Sequence, residues 1–189
     1  MLYIAHRGCI DKENTIEGIS EAFQMVSCVE IDVRYNSERK IVLCHDREKR
    51  NDENEYFEDL LKLKSSMHLF IDIKAFGVET AKQLARDIVL IIKRYAIHKY
   101  EICSFNEYCV QELLDLRICS KGYVTPFDYT VGVITSGVSV GIYNHMHLLD
   151  FISFNYDTIH EELFKNIAEK KIYAWANIHP YNVYSPCCI

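Results

Sequence analysis

The sequence lacks the features that mark membrane-spanning, secreted or multidomain proteins. Only 3 prolines and 7 glycines occur in 189 residues, and no repeat, low-complexity stretch or linker divides the chain. No apolar run approaches the roughly 20 residues that cross a bilayer, and no basic and apolar leader follows Met1. We therefore expect a single cytoplasmic domain over residues 1–189, with no indicated association with a membrane.

An excess of positive charge is also missing. The 27 aspartates and glutamates outnumber the 21 lysines and arginines, which gives a net charge of -6. Nucleic-acid backbones are held by clustered Lys and Arg, so we expect no nucleic-acid partner and only a local site for phosphate. The 8 cysteines do not indicate disulfides, because Cys28, Cys44 and Cys103 lie in apolar strand-like runs, where free cysteine behaves as a small hydrophobe.

Strands and helices alternate along the first part of the chain. The run LYIAH predicts a strand, and NTIEGISEAFQMV predicts a helix with Asn14 as its N-cap. Alternation in CVEIDVRY predicts a second strand, and the apolar run IVLCHD follows after the 5 residues NSERK. A parallel crossover needs about a dozen residues, so IVLCHD is expected to pair back onto the second strand as a hairpin.

The rest of the chain continues the same alternation. Helices are predicted in EYFEDLLKLK, VETAKQLARDIVLIIKRY, EYCVQELLDL and EELFKNIAEK. Strands are predicted in MHLFIDIKAF, YEICSF, ICSKGYVT, LLDFISFNYD and KIYAWANI. Repeated strand-helix units in one chain indicate an α/β fold with a parallel sheet, either open or closed into a barrel.

Two of these strands carry charged side chains on one face. Successive side chains of a strand point to opposite faces, so Glu30 shares a face with Asp32, and Asp72 shares one with Lys74. In a closed barrel these faces point at the axis, where three carboxylates repel one another and need protons or a cation. Oxygen ligands suit hard ions, so we expect one divalent cation, Mg²⁺ or Ca²⁺.

Two histidines stand at the ends of neighbouring predicted strands. His6 follows YIA and His45 follows IVLC, and catalytic groups of barrel enzymes gather at the carboxyl ends of strands. One imidazole is suited to remove a proton while the other donates one. Arg7 and Lys74 add donors for a phosphate group. The set predicts cleavage of a small-molecule phosphodiester.

The order of these motifs resembles the glycerophosphodiester phosphodiesterase family. The matching pieces are AHRG, ENT, EID, HD, an acidic-x-Lys strand and, late in the chain, YAWAN. The resemblance implies a TIM barrel related to that of sphingomyelinase D. It also implies an enzyme of lipid metabolism that releases glycerol phosphate from an alcohol with a divalent ion. The Gly-rich strand that closes the family barrel has no match in HPYNVYSPCCI, so the last barrel unit is expected to be reduced or missing.

The resemblance also implies roles for residues at matching positions. It assigns the acid and base to His6 and His45, and the metal ligands to Glu30, Asp32 and Asp72. The remaining assignments are phosphate binding by Arg7 and Lys74, support of the first histidine loop by Glu13, and a wall of the substrate pocket formed by Trp175.

Several residues keep a second interpretation. Lys74 is explained as well by a structural ion pair with one of the acids as by contact with phosphate. Trp175 is explained as well by core packing as by a pocket wall. Glu101, Asp150 and Asp157 are interpreted as surface or loop acids.

Two other functions stay open. One is a barrel without chemistry that binds a phosphate ester or a partner protein. The other is a lipid-directed phosphodiesterase similar to sphingomyelinase D or to a lysophospholipase of the D type. Such an enzyme needs an apolar lip, and the sequence has no obvious exposed aromatic cluster near the HRG or HD loops. The sequence does not predict the oligomeric state.

Overall fold

A computed structural model describes residues 3–46, 54–63, 66–96, 98–120, 129–135, 146–155 and 170–175. The strands are β1 (Ile4–His6), β2 (Cys28–Tyr35), β3 (Ile41–Leu43), β4 (His68–Ile73), β5 (Lys99–Cys103), β6 (Thr130–Thr135), β7 (Phe151–Asn155) and β8 (Lys171–Trp175). The helices are α1 (Ile16–Ala22), α2 (Phe57–Leu61), α3 (Val78–Arg94) and α4 (Glu107–Ser120). Within these residues, no helix has the length and apolar character that crossing a membrane requires.

The strands form one curled sheet of the TIM-barrel type. Neighbours pair in parallel in the order β1, β2, β4, β5, β6, β7, β8. The β3 strand pairs antiparallel with β2, which confirms the predicted hairpin. No pair joins β8 to β1 among the strands described above. The predicted α/β fold with a TIM-type parallel sheet is therefore confirmed, and the segment in which the last unit was expected to be reduced lies outside the described residues.

The outward faces of the strands pack against the helices. Val29, Ile31 and Val33 of β2 are fully buried on this side. Apolar side chains recur every three or four residues along α3, and this stripe is buried against the sheet; its members are Ala81, Leu84, Ala85, Ile88, Val89 and Ile92. Burial of apolar surface on both sides of this layer supplies most of the stabilisation of the fold.

The inward faces form a second, smaller core. Phe70, Phe151 and Tyr173 meet inside the barrel with ring centroids 5.1 to 5.4 Å apart, and we call these three residues the aromatic plug. Gly132 of β6 faces the plug, since a Cβ atom at this position would lie 2.1 Å from the ring of Phe151. The plug fills the barrel axis below the carboxyl ends of the strands, as expected for a packed barrel interior.

Two local predictions are wrong and one extends beyond the described residues. Residues 118–120 of the predicted strand ICSKGYVT continue α4, and the next strand in the sheet is β6. The N-cap of α1 is Thr15, whose hydroxyl accepts a hydrogen bond from the Gly18 amide at 3.1 Å, and not Asn14. The helix predicted in EELFKNIAEK covers positions of which the structure describes only Lys170.

The interpretation of Glu101 as a surface acid is also wrong. Its side chain is 2% exposed and lies inside the barrel, because Glu101 shares the inward face of β5 with Cys103. Asp150 is exposed as expected, and Asp157 lies outside the described residues.

Candidate active site

Three carboxylates converge on the inward face of the sheet at the carboxyl ends of β2 and β4. Asp32 and Asp72 are direct neighbours in the parallel register, and Glu30 lies two residues before Asp32 on the same face. One oxygen from each of the three lies within 4.8 Å of the others. The side chains of Glu30, Asp32 and Asp72 are 12%, 1% and 4% exposed, respectively, so the cluster is almost entirely removed from water.

Two cations contact these acids. The Nζ atom of Lys74 lies 3.1 Å from Oδ1 of Asp32 and donates a short hydrogen bond to Oδ2 of Asp72. The Nε atom of Arg7 lies 3.0 Å from Oδ2 of Asp32. Lys74 is therefore an ion-pair partner, and it also lines the cavity described below. With all groups ionised, the three carboxylates outweigh the two cations by one negative charge.

The electrostatics of the cluster fit a hard divalent cation. Burial, followed by repulsion from Asp32 and Asp72, raises the pKa of Glu30 well above its ordinary value. Burial raises the pKa of Asp72 to about 6 although Lys74 opposes the shift. Within the described part of the chain, the buried Oδ1 of Asp72 has no hydrogen-bond partner. An oxygen donor set that is short of positive charge suits Mg²⁺ or Ca²⁺.

The loop after β1 has left-handed backbone, and it brings Arg7 into contact with the acids. Arg7 has φ of 58° and Gly8 has φ of 86°, and a Cβ atom on Gly8 would lie 2.9 Å from the backbone of Gly18. Glycine tolerates both this conformation and this close approach. The turn directs the Arg7 amide to Oε2 of Glu30 at 2.9 Å. The Arg7 guanidinium also donates to Glu13 at 3.1 Å, so Glu13 lies beside this loop.

Asn14 positions Asp32, and sequence reasoning missed this role. Its Nδ2 donates to Oδ2 of Asp32 at 2.8 Å, and its Oδ1 accepts the Asp32 amide at 2.9 Å. Asn14 has φ of 55° and is 5% exposed. Asn14 belongs to the ENT motif, which matches the family pattern. The helix predicted directly after it instead led to the interpretation of Asn14 as an N-cap.

The two histidines have different surroundings. The His6 ring is 41% exposed, and its Nε2 lies 3.9 Å from Oε2 of Glu30. Desolvation and then the charge of Arg7 lower the pKa of His6 to about 4, so this ring is neutral at pH 7. Nδ1 of His45 lies 2.7 Å from Oδ1 of Asp46, and the His45 carbonyl accepts a hydrogen bond from Arg34 at 3.0 Å.

One cavity of about 370 Å³ brings most of these groups together. The polar wall of the cavity is formed by His6, Arg7, Glu30, His45, Asp72 and Lys74. Asp32 and Glu13 stand behind this wall, where both contact Arg7. Trp175 ends β8 opposite Asn155, and its side chain lies outside the described part of the structure. Groups that suit proton transfer, anion binding and cation binding thus face one space.

Comparisons with known proteins agree with this architecture. No family model matches the sequence, and no curated protein matches it. A glycerophosphodiester phosphodiesterase structure from Parabacteroides distasonis has 20% identity and a TM-score of 0.72, with 94% of this chain and 84% of that chain covered. An Oleispira antarctica phosphodiesterase in complex with the product sn-glycerol-3-phosphate has 18% identity and a TM-score of 0.71, with 93% and 84% covered.

A third structure gives the same result. A glycerophosphodiester phosphodiesterase from Agrobacterium tumefaciens has 14% identity and a TM-score of 0.63, with 92% of this chain and 86% of that chain covered. The likeness therefore extends over nearly the whole chain and most of each solved structure. The chain has the fold of these glycerophosphodiester phosphodiesterase structures, as the order of its motifs predicted.

Proposed function

We propose that the protein is a metal-dependent phosphodiesterase that hydrolyses glycerophosphodiesters to glycerol phosphate and an alcohol. The observation that carries this proposal is the cavity in which two histidines, two cationic side chains and the carboxylate cluster face one another. A product complex with sn-glycerol-3-phosphate in a protein of the same fold supports it. The substrate is then a small molecule.

The charge of the cavity supports binding of a diester. Glu30, Asp32 and Asp72 would hold a divalent cation, which when bound withdraws charge from the phosphate oxygens. The three carboxylates, Arg7, Lys74 and the ion then sum to one positive charge, which attracts the single negative charge of a phosphodiester. Arg7 and Lys74 donate to the phosphate and orient it, as charge-assisted hydrogen bonds do in other phosphate sites.

The surroundings of the histidines suggest a direction for proton transfer. A substrate hydroxyl bonds to phosphorus and gives its proton to neutral His6. The bond from phosphorus to the leaving alcohol breaks, and its oxygen takes a proton from Nε2 of His45. Asp46, which contacts Nδ1 of His45, stabilises the protonated ring before this transfer. Along the route that the resemblance implies, water then opens the cyclic phosphate while the two rings exchange roles.

Phosphorus NMR tests the proposal directly. The protein is incubated with Mg²⁺ and a panel of glycerophosphodiesters and lysolipids, with and without a chelator. We expect the resonance of glycerol phosphate to grow, any cyclic phosphate to appear before it, and both to vanish with the chelator. If no diester in the panel is consumed while calorimetry detects binding of a phosphate ester, the barrel is a binding module and the proposal is wrong.

A further inference from the structure

Most of the remaining lining of the cavity is apolar. This apolar part consists of Ile4, Phe70, Phe105, Ile134, Tyr173 and Ala174, which we call the apolar wall. Phe70, Ile134 and Tyr173 are at most 7% exposed, so this surface is packed deep in the barrel. Among the described lining residues, Ser153 alone adds a polar side chain outside the polar wall.

The tyrosine of this wall presents its ring to the cavity. The Tyr173 hydroxyl donates to Glu101, which lies toward the opposite end of the barrel. The ring of Tyr173 packs edge-on against Phe70 and Phe151 with centroids 5.1 and 5.4 Å away. The hydroxyl is thus already hydrogen-bonded, and a ligand in the cavity contacts the carbon atoms of the ring at this position.

The mouth of the cavity continues the apolar surface outward. Phe105, on the loop after β5, is 49% exposed and lines the cavity, and Nζ of Lys74 lies 5.3 Å from its ring centroid. Phe76, on the loop after β4, is 56% exposed and lines an adjoining cavity that Lys74 also lines. The apolar lip that is not evident near the HRG and HD loops is therefore supplied by the loops after β4 and β5.

We infer that the preferred substrates are phosphodiesters with one apolar arm that carries a single hydrocarbon chain. This inference rests on the proposed function. When the phosphate binds at the polar wall, one ester arm lies against the apolar wall, where hydroxyl groups would lose hydrogen bonds to water. Each methylene buried there instead raises affinity about fourfold. A cavity of about 370 Å³ holds a phosphate and part of one chain.

Three matched diesters locate the apolar arm. The reference is glycerophosphoglycerol, in which both arms are polar. One analogue replaces a glycerol by hexanol, and the other carries a hexanoyl ester on a glycerol hydroxyl, as in a lysophospholipid. The kcat/KM of each is measured with Mg²⁺ below its micelle concentration, with bis(4-nitrophenyl) phosphate as a generic diester.

We expect kcat/KM to be at least about tenfold higher for one of the two apolar analogues than for glycerophosphoglycerol. The analogue that is preferred identifies the arm. An equal or higher value for glycerophosphoglycerol overturns the inference but leaves the proposed function standing. Absence of turnover for all four diesters overturns the proposed function and the inference together.

A variant at the mouth separates specific contact from general hydrophobicity. Phe105→Ser is expected to reduce the ratio of kcat/KM between the preferred apolar analogue and glycerophosphoglycerol about fivefold, since half of this side chain is accessible to a ligand. Leu90→Ser is the matched control, because Leu90 is 58% exposed on α3 and lines neither cavity. A ratio that Phe105→Ser leaves unchanged contradicts the inference.

Discussion

His6 and His45 illustrate how chemistry is set by what each side chain touches. His6 stands near Glu30 and Arg7, and its pKa is lowered to about 4, whereas His45 is paired with the carboxylate of Asp46. The His6 ring is therefore neutral at pH 7, and the His45 ring is held by a carboxylate. This difference was not visible in the sequence, where both rings simply follow an apolar run.

Removal of either ring tests these roles. His6→Ala and His45→Ala are each expected to reduce kcat by about 10² to 10⁴-fold, the usual contribution of one positioned acid or base. Both rings are more than a third exposed, so circular dichroism should show an intact fold. His147→Ala is the control, since His147 is an exposed histidine that does not line the cavity. Near-normal rates in both variants would reject the proposed roles.

The Asn14 contacts lead to a second prediction at the same scale. Asn14→Ala leaves the Asp32 amide without its partner and removes one hydrogen bond from Oδ2 of Asp32, so we expect the free energy of unfolding to fall by about 1 to 3 kcal/mol. Affinity for Mg²⁺ should fall about 10 to 100-fold, as is usual when a residue that orients a metal ligand is lost. Urea titration and calorimetry measure the two effects.

The control for Asn14 is Gln24→Ala, which removes an exposed amide just after α1. An Asn14→Ala protein with unchanged stability and unchanged Mg²⁺ affinity would contradict the assignment. The two-residue spacing of strands predicted which acids share a face, but it could not predict Asn14. Asn is favoured over Thr as an N-cap, which made Asn14 the better candidate for the cap, and the contact to Asp32 spans 18 residues of sequence.

Among the elements, β4, β5 and β8 are joined across the barrel by one buried acid. Glu101 of β5 lies 2.8 Å from Nε2 of His68 on β4 and 3.0 Å from Nζ of Lys171 on β8, and it also accepts a hydrogen bond from the hydroxyl of Tyr173. Burial alone would raise its pKa, but these hydrogen bonds lower the pKa of Glu101 to about 2. Glu101 thus links β5 to β8, two strands that are not neighbours in the sheet.

The Glu101 contacts should stabilise the protein in a pH-dependent way. The pKa of Glu101 in the folded protein lies below the ordinary value of about 4.3. The contribution of these contacts to the free energy of unfolding is therefore complete above a pH of about 4.3 and is lost as the pH falls towards 2. Glu101→Gln is therefore expected to reduce the free energy of unfolding by about 2 to 3 kcal/mol at pH 7. The difference from wild type should be smaller at pH 3.

Denaturant titrations at the two pH values measure this effect. Glu79→Gln is the control, because Glu79 is exposed in the first turn of α3. The prediction is contradicted if Glu101→Gln has the unfolding free energy of wild type at pH 7, or if its loss of unfolding free energy grows as the pH falls. The sequence could not predict this cluster, since the partners of Glu101 lie 33 and 70 residues away.

The boundary between α4 and β6 shows another limit of local patterns. The segment ICSKGYVT is short and partly apolar, and such runs do not distinguish a strand from the end of a helix. The buried positions Cys109, Val110, Leu113 and Leu114 instead set a helical stripe that carries α4 to Ser120. The long amphipathic α3 was predictable, because its stripe repeats over 17 residues.

At the scale of the whole molecule, a curled parallel sheet brings strand ends together around one cavity. The alternation of strands and helices predicted the parallel sheet, because connections between consecutive elements leave few alternative topologies, and the order of the motifs predicted its barrel type. A single domain, a cytoplasmic location and the choice between Mg²⁺ and Ca²⁺ stay predictions. Among the cysteines that the structure describes, Cys9, Cys28, Cys44, Cys103 and Cys109 are free thiols.

Metal binding should be visible in the stability of the whole protein. An ion that binds only the folded state adds about 2.7 kcal/mol at a concentration of one hundred times Kd, so Mg²⁺ should raise the melting temperature by several degrees. The variant Glu30→Gln with Asp32→Asn should show no such rise. Calorimetric scans with and without the ion make the measurement, with Glu79→Gln as a control that keeps the response. A full response in the double variant would contradict the ligand assignment.

The contacts of Arg7 affect how a site of this kind can evolve. Its main chain contacts Glu30, and its side chain contacts Asp32 and Glu13. Exchange of the side chain for that of asparagine or glycine, which tolerate the left-handed backbone of this position, keeps the first contact and removes only the others. Mutation at this position can therefore change the attraction for an anion while the turn keeps its main-chain hydrogen bond. The fold of the loop and its preference for a ligand can evolve separately.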